Sequence, residues 1–357
     1  MQDSAPPQPP AVLSPPEPTS PDPAPTTYPD RSTGLTIFGI IEILLGGLCA
    51  LMIPLMLLAA AFSRKAVGGP LPAGTYVSAI CTYFFIAAML VTLGIGSIQA
   101  KRWARALNLI LSWIGLITGV IMTVVMAVML PSSFLAGMRQ AANQSSNVTP
   151  PPTGLMAVIL TFIIVFVAII FVLVPLAFLL FFGRKDVAET CNRRDPVERW
   201  TDRCPLPVLA VSILLGLGVP YSLILAVTTP MVPFFGKYVT GLPGSVALIL
   251  LAAFDAFLAF AFYRQRIWGW WLAVTALALR LASAMITFRH DDILRAYSKM
   301  GWSQTQLNAL SANPGFRAGS SMLWWGLAIS IIMLLYLVWV KRYFQGPNET
   351  ETAFRPS

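Results

Sequence analysis

Residues 254–281 are FDAFLAFAFYRQRIWGWWLAVTALALRL, almost entirely hydrocarbon and aromatic rings. Two apolar runs, 243–263 and 268–288, meet at the basic turn Arg264-Gln265-Arg266. Each run has the roughly 20 residues that a helix needs to cross the hydrocarbon core of a bilayer. In lipid every backbone N–H and C=O must be satisfied within its own segment, so the runs are helices and not open strands. The turn is so short that the two helices must be antiparallel neighbours. Each carries a charge deep inside it, Asp255 in the first and Arg280 in the second.

Further apolar runs at 35–62, 75–100, 104–130, 154–182, 206–229 and 321–340 bring the total to eight. Hydrophobic residues make up 56% of the 357 positions and charged ones only 11%. A soluble domain carries about a quarter charged residues, so lipid is the natural solvent for most of this chain. The alternating polar and apolar segments of a membrane barrel are missing. The fold class is therefore all-α, a polytopic membrane protein of eight transmembrane helices. Pro54, Pro175 and Pro220 fall inside runs and are expected to bend them.

The net charge of +9 does not point to nucleic acid, because Lys and Arg are scattered between apolar runs and not gathered on a polar domain. At the run ends and beyond them, the side shared by both termini has 15 Lys and Arg and the other side has 8. The positive-inside rule then places both termini in the cytoplasm, with a bacterial inner membrane as the expected setting. Trp103, Trp268, Trp324 and Trp339 stand near run ends, where interfacial tryptophans belong. Residues 1–33, with 11 prolines in the first 30 positions, read as a disordered cytoplasmic tail and lack a signal-peptide pattern. The chain divides into that tail, a first four-helix unit at 34–182, a cytoplasmic connector at 183–204, a second four-helix unit at 205–343 and a C-terminal tail at 344–357.

The two units resemble each other. Ile43-Leu44-Leu45-Gly46-Gly47 is echoed by Ile213-Leu214-Leu215-Gly216-Leu217, and Lys101-Arg102-Trp103-Ala104 by Arg266-Ile267-Trp268-Gly269. The offsets, 170 and 165, describe nearly one period. Four spans per unit make this a parallel repeat about an axis along the membrane normal. The stretch Gly94-Ile95-Gly96 followed by Arg102-Trp103-Ala104-Arg105 resembles a pattern in small four-span bacterial membrane proteins without assigned chemistry. That resemblance covers mainly 75–130, and Ile267 and Gly269 depart from it in the second unit. It implies architecture and carries over no functional residue.

Cys49 and Cys81 lie inside runs as small packing residues, whereas Cys191 and Cys204 share the connector, thirteen positions apart. They could form a disulfide or offer two metal ligands, but a closed zinc site needs four, and free thiols are expected in the cytoplasm. His290-Asp291-Asp292 is a candidate outer-loop site. Three consecutive residues fan out and rarely converge on one ion, so acids meeting a helix dipole are the simpler reading. No metal or cofactor is expected. Residues 291–312 read as two short amphipathic helices, with Leu294, Tyr297 and Met300 on one face and a Ser303–Gln306 capping box opening the second. A further short helix is expected from Phe134 to Ala142, after span three. On span three, Gly115 and Gly119 form a GxxxG step that lets another helix approach, within the chain in the simplest case.

The intramembrane charges are Glu42, Asp255 and Arg280. Each costs about 2.5–3.5 kcal/mol at a helix centre. Counted from the basic turn, Asp255 and Arg280 differ in depth by only about 6 Å, a gap an arginine stem can cover. An Asp255–Arg280 ion pair is expected, with Glu42 at similar depth and near enough to join. HExxH, GxSxG and P-loop patterns are missing. By elimination, the expected function is a non-catalytic scaffold, sensor or partner-binding bundle, whose partners are the bilayer and another membrane protein. The alternative is a transporter of a small molecule or ion with its polar site at the repeat interface. A membrane-embedded enzyme comes third.

Overall fold

The computed structural model describes residues 29–63, 73–144, 153–290, 293–312 and 319–344. Among these, eight helices are long and apolar enough to cross a membrane. The first unit contains α1 (Ser32–Ser63), α2 (Ala73–Ile98), α3 (Arg102–Gln144) and a fourth span in two parts, α4 (Thr153–Ala168) and α5 (Val174–Phe182). A π-helical turn, Ile169–Leu173, joins those two parts. The connector holds α6 (Lys185–Arg194) and a 3-10 turn at Trp200–Arg203. The second unit begins with α7 (Leu206–Thr228), followed by the strands β1 (Met231–Phe234) and β2 (Lys237–Thr240). It continues with α8 (Leu242–Tyr263), α9 (Ile267–His290), α10 (Ile293–Lys299), α11 (Gln304–Ala312) and α12 (Gly319–Val340). The chain is an all-α, multi-pass membrane protein. Residues 1–28 and 345–357, which make up most of the two tails, and Asp291–Asp292 lie outside the described residues.

The basic turn Arg264-Gln265-Arg266 has a close twin. At the end of α2, Ala100 takes φ 52°, Ala100 N–H donates to the Ser97 carbonyl and Lys101 N–H to that of Gly96. At the end of α8, Gln265 takes φ 53°, Gln265 N–H donates to the Phe262 carbonyl and Arg266 N–H to that of Ala261. Both are Schellman-type stops in which a left-handed residue lets the chain reverse within a few positions. The helices on either side touch immediately. A Cβ built on Gly96 would stand 2.7 Å from the Ala104 Cβ, and one built on Gly269 would stand 2.8 Å from the Ala261 Cβ. Each crossing therefore has room for a single methyl group.

Three local features depart from the sequence reading. First, α3 does not end near 130; it runs through Pro131 to Gln144, so the expected 134–142 helix is its continuation. One proline removes one backbone bond, and the segment after it carries good helix formers in Leu135, Ala136, Met138, Arg139, Gln140, Ala141 and Ala142, which let the helix carry on. Second, Pro175 acts on the fourth span by forming the π turn. Lacking an N–H, it cannot serve the Phe171 carbonyl four residues back, and the Val174 N–H reaches back five residues to Ile169 instead. Third, the loop between α7 and α8 is a β-hairpin. Phe234 pairs with Lys237, and the two turn residues Phe235 and Gly236 take φ 36° and 100°, the left-handed pair that a tight hairpin requires.

Two buried cores sit at the connector end of the bundle. One joins Leu35, Phe178 and Phe182 of the first unit to Val187 and Cys191 of α6. The other gathers Val208, Leu209, Leu258, Phe262, Trp270 and Leu337 of the second unit around Cys204, with Ile110 of α3 reaching in. The connector thus plugs one cysteine into each core. Cys191 and Cys204 are free thiols, and burial pushes both up to about 11. At the opposite end, the Ser303–Gln306 capping box forms, with Ser303 N–H donating to Gln306 Oε1 at 3.0 Å and Gln306 N–H to Ser303 Oγ at 3.3 Å. There α10 packs on α11 and on β2.

Candidate functional site: the intramembrane polar groups

Asp255 lies on α8 and Arg280 on α9, each on the face its helix turns toward the other. Arg280 Nη2 donates to Asp255 Oδ1 at 2.5 Å. The carboxylate is enclosed, with its side chain 7% exposed, while the guanidinium-bearing side chain is 40% exposed. Gly218 of α7 runs alongside, close enough that a Cβ there would meet Asp255 Oδ2 at 3.9 Å. The pair therefore has one closed flank, at the carboxylate, and one open flank, at the arginine.

Glu42 does not join them. Its residue is 1% exposed, in α1, and its partner is Ser97 near the end of α2, whose hydroxyl donates to Oε2 at 3.2 Å. Asn108 of α3 donates in turn to Ser97 Oγ at 2.9 Å, so three helices of the first unit share one chain of hydrogen bonds. The correction to the expected three-residue cluster has a geometric cause. Depth alone made Glu42 a neighbour of Asp255, but rotation about the α1 axis directs it at α2. There Gly39 and Gly94 bring the backbones together; a Cβ on Gly39 would lie 2.7 Å from the Gly94 carbonyl oxygen. Among the described residues no hydrogen bond or ion pair links Glu42 to Asp255 or Arg280. The sequence did hold a signal for the missed partner: Asn108 is the one amide in the apolar run 104–130.

A polar stripe continues from Arg280 along α9. Ser283 and Thr287 are both buried and lie one and two turns further toward the hairpin. The Phe235 N–H donates to Ser283 Oγ and the Gly236 N–H to Thr287 Oγ1, both at 3.0 Å, while Ser283 Oγ donates to the Pro233 carbonyl at 2.9 Å. The hairpin's turn is thereby pinned onto α9, and its otherwise unpaired backbone groups are satisfied there. His290 Nδ1 sits 2.9 Å from the Ile286 carbonyl one turn back. Asp291 and Asp292, the rest of that candidate site, lie outside the described residues, and among those described no three His, Cys, Asp or Glu gather as a metal site would need.

A second polar layer lies outside the spans, on the connector. Asp195, buried, accepts from Arg199 Nη2 at 2.6 Å and Nε at 3.0 Å, and from the Arg102 backbone N–H at 3.3 Å. The Arg199 bonds hold the Asp195 carboxyl below the usual carboxylate range. Arg102 Nε also pairs with Asp202 at 3.3 Å, which ties the start of α3 to the connector. Compared with known proteins, the chain matches no family model, no curated protein and no solved structure.

Proposed function

We propose that the protein is a non-catalytic membrane scaffold, a duplicated four-helix unit whose bundle holds a partner membrane protein, with the termini and connector in the cytoplasm. One observation carries this reading: the carboxylates deep inside the spans are each engaged by a side chain of their own unit, Glu42 by Ser97 and Asp255 by Arg280. A transport site needs groups that exchange partners at the boundary between units, whereas a latch keeps its partners. Buried pairs of this kind fix helix register.

The duplication is supported by the twin turns at Ala100 and Gln265, 165 positions apart. It is supported further by a reciprocal exchange. Gly96 against Ala104 in one unit stands where Ala261 against Gly269 stands in the other, with the same spacing and the methyl moved across the contact. At the counterpart of Glu42, Ser212 donates to the Ala259 carbonyl at 2.7 Å, so both units place a polar side chain at the same helix crossing. The basic excess at the connector end supports the cytoplasmic assignment.

The test is crosslinking in native membrane followed by purification of the full chain, which should bring down one membrane protein in fixed ratio. Reporter fusions at both ends should read cytoplasmic. A second reading, transport, is favoured by the open flank of Arg280 and the stripe through Ser283 and Thr287 toward the hairpin. Solute or proton flux in proteoliposomes that vanishes in Asp255→Asn or Glu42→Gln would overturn the scaffold reading.

A further inference from the structure

The connector end carries its cations in several ways. Beneath the first unit and the connector six arginines are neutralised by the protein itself, Arg31, Arg102, Arg184, Arg193, Arg194 and Arg199 forming ion pairs with Asp30, Asp186, Glu189, Asp195 or Asp202, while Lys101, Arg105, Lys185 and Arg203 have neither a carboxylate at ion-pair distance nor an aromatic ring beneath them among the described residues. Beneath the second unit, among the described residues, Arg264, Arg266, Lys341 and Arg342 meet no carboxylate at ion-pair distance. Aromatic rings hold three of the four. Lys341 Nζ lies 4.8 Å from the Trp270 ring and 4.9 Å from the Trp271 ring. The Arg342 guanidinium lies 4.2 Å from the Trp339 ring, and that of Arg264 5.3 Å from the Phe260 ring.

We propose that these four cations form a binding site for the headgroup phosphate of an acidic phospholipid. A ring fixes a cation from one side and does not neutralise it, so the other side stays available to an anion. The residues next to the cations fit the remainder of a lipid. Phe257 stacks on Trp268 at 5.3 Å, and both are exposed, as are Phe260, Trp271 and Leu272. They form an apolar wall running from the cations into the span, where an acyl chain would lie. Tryptophans at this depth mark the headgroup level. A soluble phosphate would use the cations and leave the wall without a function, which is why the lipid is the occupant proposed. Each Lys or Arg near a membrane surface adds about 1 kcal/mol of attraction to acidic lipid, and here three such cations are held in place by rings beneath one unit.

The experiment uses the full chain, purified in neutral detergent and titrated with phosphatidylglycerol or phosphatidylcholine, with bound lipid counted by native mass spectrometry. Phosphatidylglycerol should be retained in preference, and inorganic phosphate should not displace it. Removing each cation should weaken retention roughly five-fold. Arg264→Gln with Arg266→Gln, both at exposed positions, serves as a mild double variant should the fourfold variant unfold. Arg184→Gln with Arg193→Gln, in the acid-paired region, should leave retention unchanged. Equal retention of both lipids, or equal loss in the two double variants, overturns the proposal. So does lipid binding that is seen only after Glu349→Gln and Glu351→Gln, which would make the chain's own acidic tail the occupant.

Discussion

The carbonyl oxygen of Phe171 rests against Gly119, in the space where any other residue would carry its Cβ. Pro175 cannot donate to that carbonyl, and Gly115 receives the Pro175 ring one turn away, with a built Cβ at 3.5 Å from its Cγ. The GxxxG step on α3 is thus filled by the fourth span of the same chain. Gly119→Ala should destabilise the protein by about 1–3 kcal/mol, the usual cost of overpacking. Gly47→Ala, with open space around it, should be nearly neutral. Thermal melting of the two variants in detergent makes the comparison.

The Asp255–Arg280 pair calls for a double-mutant cycle. Asp255→Asn or Arg280→Met alone strands a partner and should cost about 3–5 kcal/mol. The double variant should recover part of that loss. Unfolding free energies that simply add would mean the two groups do not interact.

Glu42 should tolerate Gln better than Leu. Gln keeps an acceptor for the Ser97 hydroxyl, whereas Leu leaves Ser97 buried with only Asn108, at a cost of about 1–3 kcal/mol. Asn108→Leu in the Glu42→Leu background should cost less than it does alone, since the chain of bonds is already cut. Equal costs in both backgrounds would count against a shared network.

Acid should weaken the connector. Asp195 binds its proton less readily in the folded chain than in the unfolded one, chiefly because of Arg199. Its stabilisation is therefore full above the unfolded aspartate value of about 3.9 and falls as pH drops further toward the lower folded value. Asp195→Asn should flatten stability against pH below about pH 4. An unchanged acid limb on chemical unfolding of the variant would contradict the assignment.

The connector thiols should be slow to react. With burial raising both to about 11, thiolate is scarce at neutral pH, so Cys191 and Cys204 should resist maleimide until the protein is unfolded. A disulfide between them would require pulling both out of separate cores. Rapid labelling of the folded protein, or a crosslink on mild oxidation, would show the cores to be looser than described.

Local properties of the chain determined the eight spans, the stop at each basic turn and the capping box at Ser303, because hydropathy, length and turn chemistry act over a few residues. The depth match of Asp255 and Arg280 was also legible, since a tight turn fixes how two antiparallel helices align along their axes. Rotation about those axes was not, and it depends on which side chains interlock. Only the tertiary structure therefore gave Glu42 to Ser97 and Asn108, set Phe171 on Gly119, divided the two connector cysteines between cores, and pinned the hairpin at Phe235 and Gly236 onto Ser283 and Thr287.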